Sequence, residues 1–196
     1  ENDLTVVGNV LIEDPNMRAI AEEAEHRGVA ETLELRGSAE IHSREYSLTS
    51  DTIFARIPGG SLQDVEARGE ARMMGEDLNV DAPLLNLFFA DDLLQRSIAR
   101  SDSSRAPGVR PVATSPTFGL TADSLDASLP GQRLQLVVAV GNARGESIDT
   151  TGAGAQPAEA GADSVAEGMA PDTLAAIGGT VVDSTIVGES ANAGTP

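Results

Sequence analysis

One stretch of this chain occurs twice. Residues 48–72, LTSDTIFARIPGGSLQDVEARGEAR, align without a gap on residues 120–144, LTADSLDASLPGQRLQLVVAVGNAR, with 13 identities in 25 positions. Unrelated segments of ordinary composition would share about one or two. The two are copies of one unit, so the chain must fold both in much the same way and bury their faces against each other or against further copies.

Each copy reads as a strand, a Pro-Gly turn and a returning strand. Ile53, Ala55 and Ile57 alternate along the outgoing strand, as do Leu125, Ala127 and Leu129. On the return, Val65, Ala67 and Ala71 share a parity, matched by Val137, Ala139 and Ala143. A period of two is the strand signal. Ahead of the Asp in each copy the parity reverses (Leu48 and Ser50, Leu120 and Ala122), so a bulge or corner at Asp51 and Asp123 is needed to keep both halves facing one core. Looser copies fill the remainder. A Gly-polar-small signature recurs as Gly8-Asn9-Val10, Gly37-Ser38-Ala39, Gly69-Glu70-Ala71 and Gly141-Asn142-Ala143, with Ser101 in the equivalent place and Gly188-Glu189-Ser190 as a further instance. A leucine ahead of an Asp recurs at Leu48 and Asp51, Leu78 and Asp81, and Leu120 and Asp123. The unit spans about 30 residues and two strands, which predicts about ten antiparallel strands by residue 148.

Residues 17–28, MRAIAEEAEHRG, are rich in Ala and Glu, and intrinsic propensity alone favours a short helix there. The repeat instead aligns Ala21-Glu22-Glu23-Ala24 with Ser50-Asp51-Thr52-Ile53 and predicts a strand, because neighbouring strands supply the pairing. Residues 101–116 carry the Ser, Pro and Gly of an irregular connection. Three segments follow: a body, 1–149; an acidic Gly/Ala-rich insert or linker, 150–171, with too little apolar surface to offset backbone ordering; and 172–196, with one last strand or hairpin and a tail.

Composition removes several chemistries. The chain has no Cys, two His, no Lys, 13 Arg and 31 acids, for a net charge of -18. Thiol catalysis, thiolate metal sites and disulfides are excluded, and basic patches for nucleic acid are missing. No apolar run approaches the roughly 20 residues of a membrane-spanning helix. The opening at Glu, with no basic-then-apolar leader, predicts a mature form or a fragment. No pair of carboxylates stands out for acid–base work, so the expectation is a non-enzyme with no catalytic residue, no cofactor and no metal. Two readings of Asp51, Asp81 and Asp123 remain: stacked units that bring them together for Ca²⁺, or side chains that satisfy backbone donors at a corner. His26 and His42 read as solvated, at a strand end and mid-strand. Phe88 and Phe89, with Leu84, Leu85 and Leu87, form the strongest apolar cluster, suited to core packing or to a groove wall buried from both sides.

The inward rows raise a question of volume. Ala55, Ala67, Ala71, Ala127, Ala139 and Ala143 alternate with Ile, Val and Leu, and the chain has only five aromatic residues, four Phe and one Tyr. Two sheets about 10 Å apart are ordinarily filled by bulkier side chains. Small residues either draw the sheets together into a thin dry core or leave an apolar gap wide enough for a hydrocarbon chain, each buried CH₂ of which contributes about 0.8 kcal/mol.

Strands ending in Gly-Asn-Val or Gly-Asn-Ala, followed by a Leu-x-Ala-Asp-like strand and a polar Pro-Gly turn at regular intervals, resemble the OstA/LptA family of periplasmic lipopolysaccharide-transport proteins. The likeness covers residues 4 to 148. It implies an all-β fold, an antiparallel β-jellyroll in which two sheets fold together like a taco, open at both ends. It also implies a non-enzymatic carrier in the periplasm that takes lipopolysaccharide or related glycolipid acyl chains into its interior. Neighbouring bridge proteins, or further copies of itself, would join by edge-strand pairing, with the first strand, Leu4 to Ile12, as the natural edge. Carried onto this sequence, the groove wall is Val10, Ile12, Leu35, Ala39, Ile41, Ile53, Ala55, Ile57, Val65, Ala67, Ala71, Leu85, Leu87, Phe89, Leu125, Ala127, Leu129, Val137, Ala139 and Ala143. The alternative is a structural β-repeat module, a scaffold or adhesin segment of the same fold with no lipid ligand.

Overall fold

Alternating polar and apolar residues between glycine-containing turns make long strands, and the chain forms them from its first described residues. The computed structural model describes residues 3–14 and 17–148, and the backbone of 173–177 and 180–183. Six long strands come first: β1 (Leu4–Asp14), β2 (Met17–Arg27), β3 (Thr32–Ser43), β4 (Tyr46–Arg56), β5 (Asp64–Gly75) and β6 (Asn79–Ala90). Shorter ones follow: β7 (Leu93–Arg100), β8 (Val112–Thr114), β9 (Phe118–Thr121), β10 (Ser124–Ser128), β11 (Leu136–Val140), β12 (Arg144–Ser147), β13 (Thr173–Ile177) and β14 (Thr180–Asp183). All pairings are antiparallel. By residue 148 the described strands number 12 rather than about ten, because the second copy of the repeat breaks each of its two long strands in two, and β13 and β14 add the hairpin expected in 172–196.

The break falls on a row of bulges that crosses the sheet. Register shifts lie between Val7 and Val10, Arg36 and Ala39, and Arg68 and Ala71. At each, two successive residues adopt left-handed backbone: Gly8 and Asn9 (φ 90° and 45°), Gly37 and Ser38 (75° and 45°), Gly69 and Glu70 (80° and 43°). Gly141 and Asn142 repeat the geometry at 73° and 48°. The corner inferred at Asp51 and Asp123 is therefore present, with the extra residue on the facing strand. Asp51 lies over Gly69 and Asp123 over Gly141, so a Cβ at either glycine would collide with the acid. Ser50 satisfies the bent backbone, donating to the carbonyls of Arg68 and Gly69 at 2.8 and 2.9 Å.

Each long strand crosses this row and joins two leaves of one folded sheet. The first leaf contains the β1 residues before the bulge, Glu23–Arg27, Thr32–Arg36, Thr52–Arg56, Asp64–Arg68 and Leu84–Ala90, then β7, β10, β11, β13 and β14. The second contains the other halves, then β8, β9 and β12. The body is an all-β antiparallel jellyroll.

Residues 17–27 form strand β2, as the repeat requires, and their burial matches the aligned unit: Ala21 and Ala24 are buried and Glu22 exposed, as are Ser50, Ile53 and Asp51. The two turns agree closely. Pro58–Gly60 and Pro130–Gln132 each form a single 3-10 turn, entered from Ile57 (φ -131°, ψ 56°) and Leu129 (φ -129°, ψ 52°).

Four details differ from the sequence reading. Asp81 does not match Asp51: it pairs with Arg72, the partner of Thr49, while Pro83 takes the place opposite Gly69 and Glu70. A proline fits there because a residue facing a bulge needs no ladder hydrogen bond. The connection at 101–116 contains β8, since β7 leaves at the corner and the first half of β6 must pair elsewhere. His42 sits at the end of β3, exposed, 3.1 Å from Glu40. The Leu84–Phe89 run alternates, with Leu85, Leu87 and Phe89 inward and Phe88 outward and 38% exposed, so it is not covered on both faces. Residues 150–171 and Gly188-Glu189-Ser190 lie outside the described residues. Within 172–196 the described backbone is the hairpin of β13 and β14, with β13 paired to β11.

Candidate functional site: the interior between the leaves

The parity of each strand delivers one row of side chains to the inside, and the register decides what stands beside what. Of the groove residues inferred above, Ile12, Ile57 and Ala143 are partly buried against the core and all the others are buried. One row of the first leaf runs Ala24, Leu35, Ile53, Ala67, Leu85, Ala99, Leu125 and Ala139 across successive strands. The next runs Leu33, Ala55, Val65, Leu87, Ser97, Ala127 and Val137. Large and small residues are interleaved, which lets facing layers interdigitate.

Away from the rims, that arrangement closes the interior. A slot wide enough for an alkyl chain would leave its lining accessible to water, yet Ala39, Leu48, Ile53, Ala67, Leu85, Leu87, Ala122 and Ala139 are all 0% exposed. Over these rows the small residues therefore produce the thin dry core rather than an open gap. Beside the crease, where the leaves converge, the inward residues are small: Ala21, Ala39, Ser50, Ala71, Ala82 and Ala122. Larger side chains stand nearer the rims.

The second leaf supplies lining that the sequence reading left out: Leu48, Met73, Val80 and Leu120, all buried, in one row with Ala19, Ile41 and Ala113. The reversed parity ahead of Asp51 and Asp123 was the signal for Leu48 and Leu120. Tyr46 and Leu94, at the rims, were missed because single rim residues carry no period. Tyr46 of the second leaf meets Phe89 of the first with ring centroids 5.7 Å apart, tilted by 39°. This pair bridges the two leaves at that point of the mouth. Burial, with Glu45 and Asp92 nearby, pushes the Tyr46 phenol well above its ordinary range.

At the β1 end the interior is uncovered. Leu4 and Val6 are 60% and 38% exposed, Val7 and Leu11 are also exposed, and β1 pairs only with β2 among the described strands. The outer surface carries ion pairs both across and along the strands. Arg36 holds Glu23 at 3.0 Å and also binds Glu25 and Glu34, and Arg72 holds Asp81, Arg96 holds Asp126 and Arg110 holds Asp123. Hydrogen bonding from Arg27, and then from Arg36, holds the Glu25 carboxyl below its usual value. Among the described residues no group of three or more acids or histidines is assembled that would hold a metal ion. Asp51 and Asp123 cover bulge glycines, and Asp81 lies outside that row.

No family model matches the sequence, and no curated protein matches it. Among solved structures, the fold matches LptH of Pseudomonas aeruginosa, described as the LptA-homologous periplasmic component of the conserved lipopolysaccharide transport device. The TM-score is 0.55 and the identity 13%, over 68% of this chain and 94% of that one. At that identity the likeness establishes architecture, and the folded sheet with its crease, twin leaves and apolar interior is the LptA-like β-jellyroll.

Proposed function

We propose that the chain is a non-enzymatic periplasmic carrier or bridge component of lipopolysaccharide transport, holding acyl chains of lipopolysaccharide or a related glycolipid between its leaves. The observation that carries the reading is an apolar interior continuous from the crease to the rims, with Tyr46 and Phe89 in contact across its mouth, in a fold shared with a transport component. Because the core is dry at rest, acyl chains enter only when the leaves part, and Tyr46 and Phe89 mark where. Transport is passive: burial of each CH₂ offsets the cost of separating the leaves, and the headgroup stays in water. The exposed β1, with Leu4, Val6, Val7 and Leu11, is the edge on which a neighbouring bridge protein or a second copy extends the sheet.

The closed core also favours the scaffold reading, in which nothing enters. The chain contains no Cys, so the two separate cleanly. In the Tyr46→Cys/Phe89→Cys variant, a short bis-maleimide ties the rims together. Saturable binding of lipopolysaccharide or a fluorescent fatty acid by the untreated variant, lost after cross-linking, supports carriage. Absence of binding before cross-linking assigns the chain to scaffolding.

A further inference from the structure

Beside Tyr46, between the rims, lies a cavity of ≈ 290 Å³. Met73, Leu78, Leu94 and Leu129 make its floor, and all four are buried. Its lip is polar: Glu45, Glu76 and Asp77 on one leaf, Gln132 and Arg133 on the other. The volume falls near the lower bound of small-molecule pockets, about 300 Å³, so it suits part of one alkyl chain rather than a whole multi-chain lipid. On the outer face, acids such as Glu34, Glu66, Asp64 and Asp126 are engaged by arginines. Glu45, Glu76 and Asp77 make no ion pair among the described residues.

We propose that this cavity is a subsite for the end of one acyl chain whose headgroup carries no net negative charge, being uncharged, cationic or neutralised by divalent cations. The assignment rests on the reading that acyl chains enter between the leaves. An apolar floor beneath a polar lip seats an amphiphile with its tail inward. Three carboxylates stand at the lip against one guanidinium, and Asp92 adds its field at Tyr46. A bare phosphate would meet like charge as its tail reached the floor, whereas a sugar or an ammonium head would not.

The chain reports on the subsite without labels. Tyr46 is the sole tyrosine and there is no Trp, so intrinsic emission comes from the lip itself. Met73 lies in the floor while Met74 points outward and is exposed, so methionine-methyl NMR carries its own control. The probes are decyl maltoside, decyltrimethylammonium and decyl phosphate, each below its micelle concentration. The maltoside and the ammonium should shift the Met73 methyl and Tyr46 emission but not Met74, with decyl phosphate binding about tenfold more weakly. Mg²⁺ should narrow that gap. Glu45→Gln/Glu76→Gln/Asp77→Asn, all at the lip, should erase it by bringing decyl phosphate to the affinity of the maltoside, and Leu129→Trp should block all three probes. If decyl phosphate binds as well as the maltoside without Mg²⁺, the headgroup rule is wrong. If probes bind but leave Met73 unmoved, the subsite is elsewhere and carriage between the leaves survives. If nothing binds while the rim-cysteine variant takes up lipopolysaccharide, this assignment alone fails; if neither protein binds any lipid, both readings fall.

Discussion

At the scale of single residues, the crease depends on glycines whose carbon-free flank is occupied by an acid. Gly69 has φ 80° with the Asp51 side chain packed against it, whereas Gly8 has φ 90° with nothing near. Gly8→Ala should cost only the left-handed backbone, about 1–2 kcal/mol. Gly69→Ala adds a collision and should cost about 2–4 kcal/mol, partly recovered in Gly69→Ala/Asp51→Ala, as read from urea midpoints. Equal costs for the two alanines would remove the acid from the account. Tyr46 offers a second test. With no Lys, no Cys and one Tyr, it is the only side chain whose ordinary, unfolded-state titration lies between about pH 9 and 12. Its phenol is raised in the folded state, so the folded chain binds that proton more tightly than the unfolded chain. The stability linked to it is complete below about pH 10 and is lost as pH rises further. Tyr46→Phe should abolish that alkaline decline. Phenolate absorbance appearing near pH 10 in the folded protein would contradict the burial argument.

At the scale of elements, the duplicated unit is reproduced down to its turns, and one difference between the copies is informative. Gln132 holds a left-handed backbone at φ 66° where the other copy has Gly60 at 86°. Gln132→Gly should stabilise the protein by about 0.5–1 kcal/mol, relief of strain outweighing the added chain entropy, with thermal denaturation as the measurement. Strand β2 shows the opposite balance: a helix-prone composition is overridden because both neighbours offer ladder partners, and Ala19, Ala21 and Ala24 fit the narrow interior that larger residues would overfill. The Asp81 misalignment came from matching an acid by its leucine rather than by the bulge it faces. Pro83 carries no acid and so gave no match, although it occupies the structural position.

At the scale of the whole molecule, charge and closure set the behaviour. With 31 acids against 13 arginines, repulsion between unpaired carboxylates exceeds what the surface pairs return. Raising NaCl from about 10 mM to about 0.5 M should therefore raise the melting temperature; a fall would mean the arginine ion pairs dominate. The repeat, the strand parity and the glycine pairs were legible in the chain itself, because each is a local demand: a period of two, a backbone angle, a turn. They determine that two leaves form and which side chains face inward. Whether those leaves enclose a slot or a solid core was decided in three dimensions. Interleaving of Ala with Leu and Ile depends on the register of each strand against the next, across bulges and, for β7 and β10, across a long connection, and the Tyr46–Phe89 contact joins residues on opposite leaves. Away from the crease, the same composition with its alanines in register would leave a void; staggered, they let the opposite layer fill it.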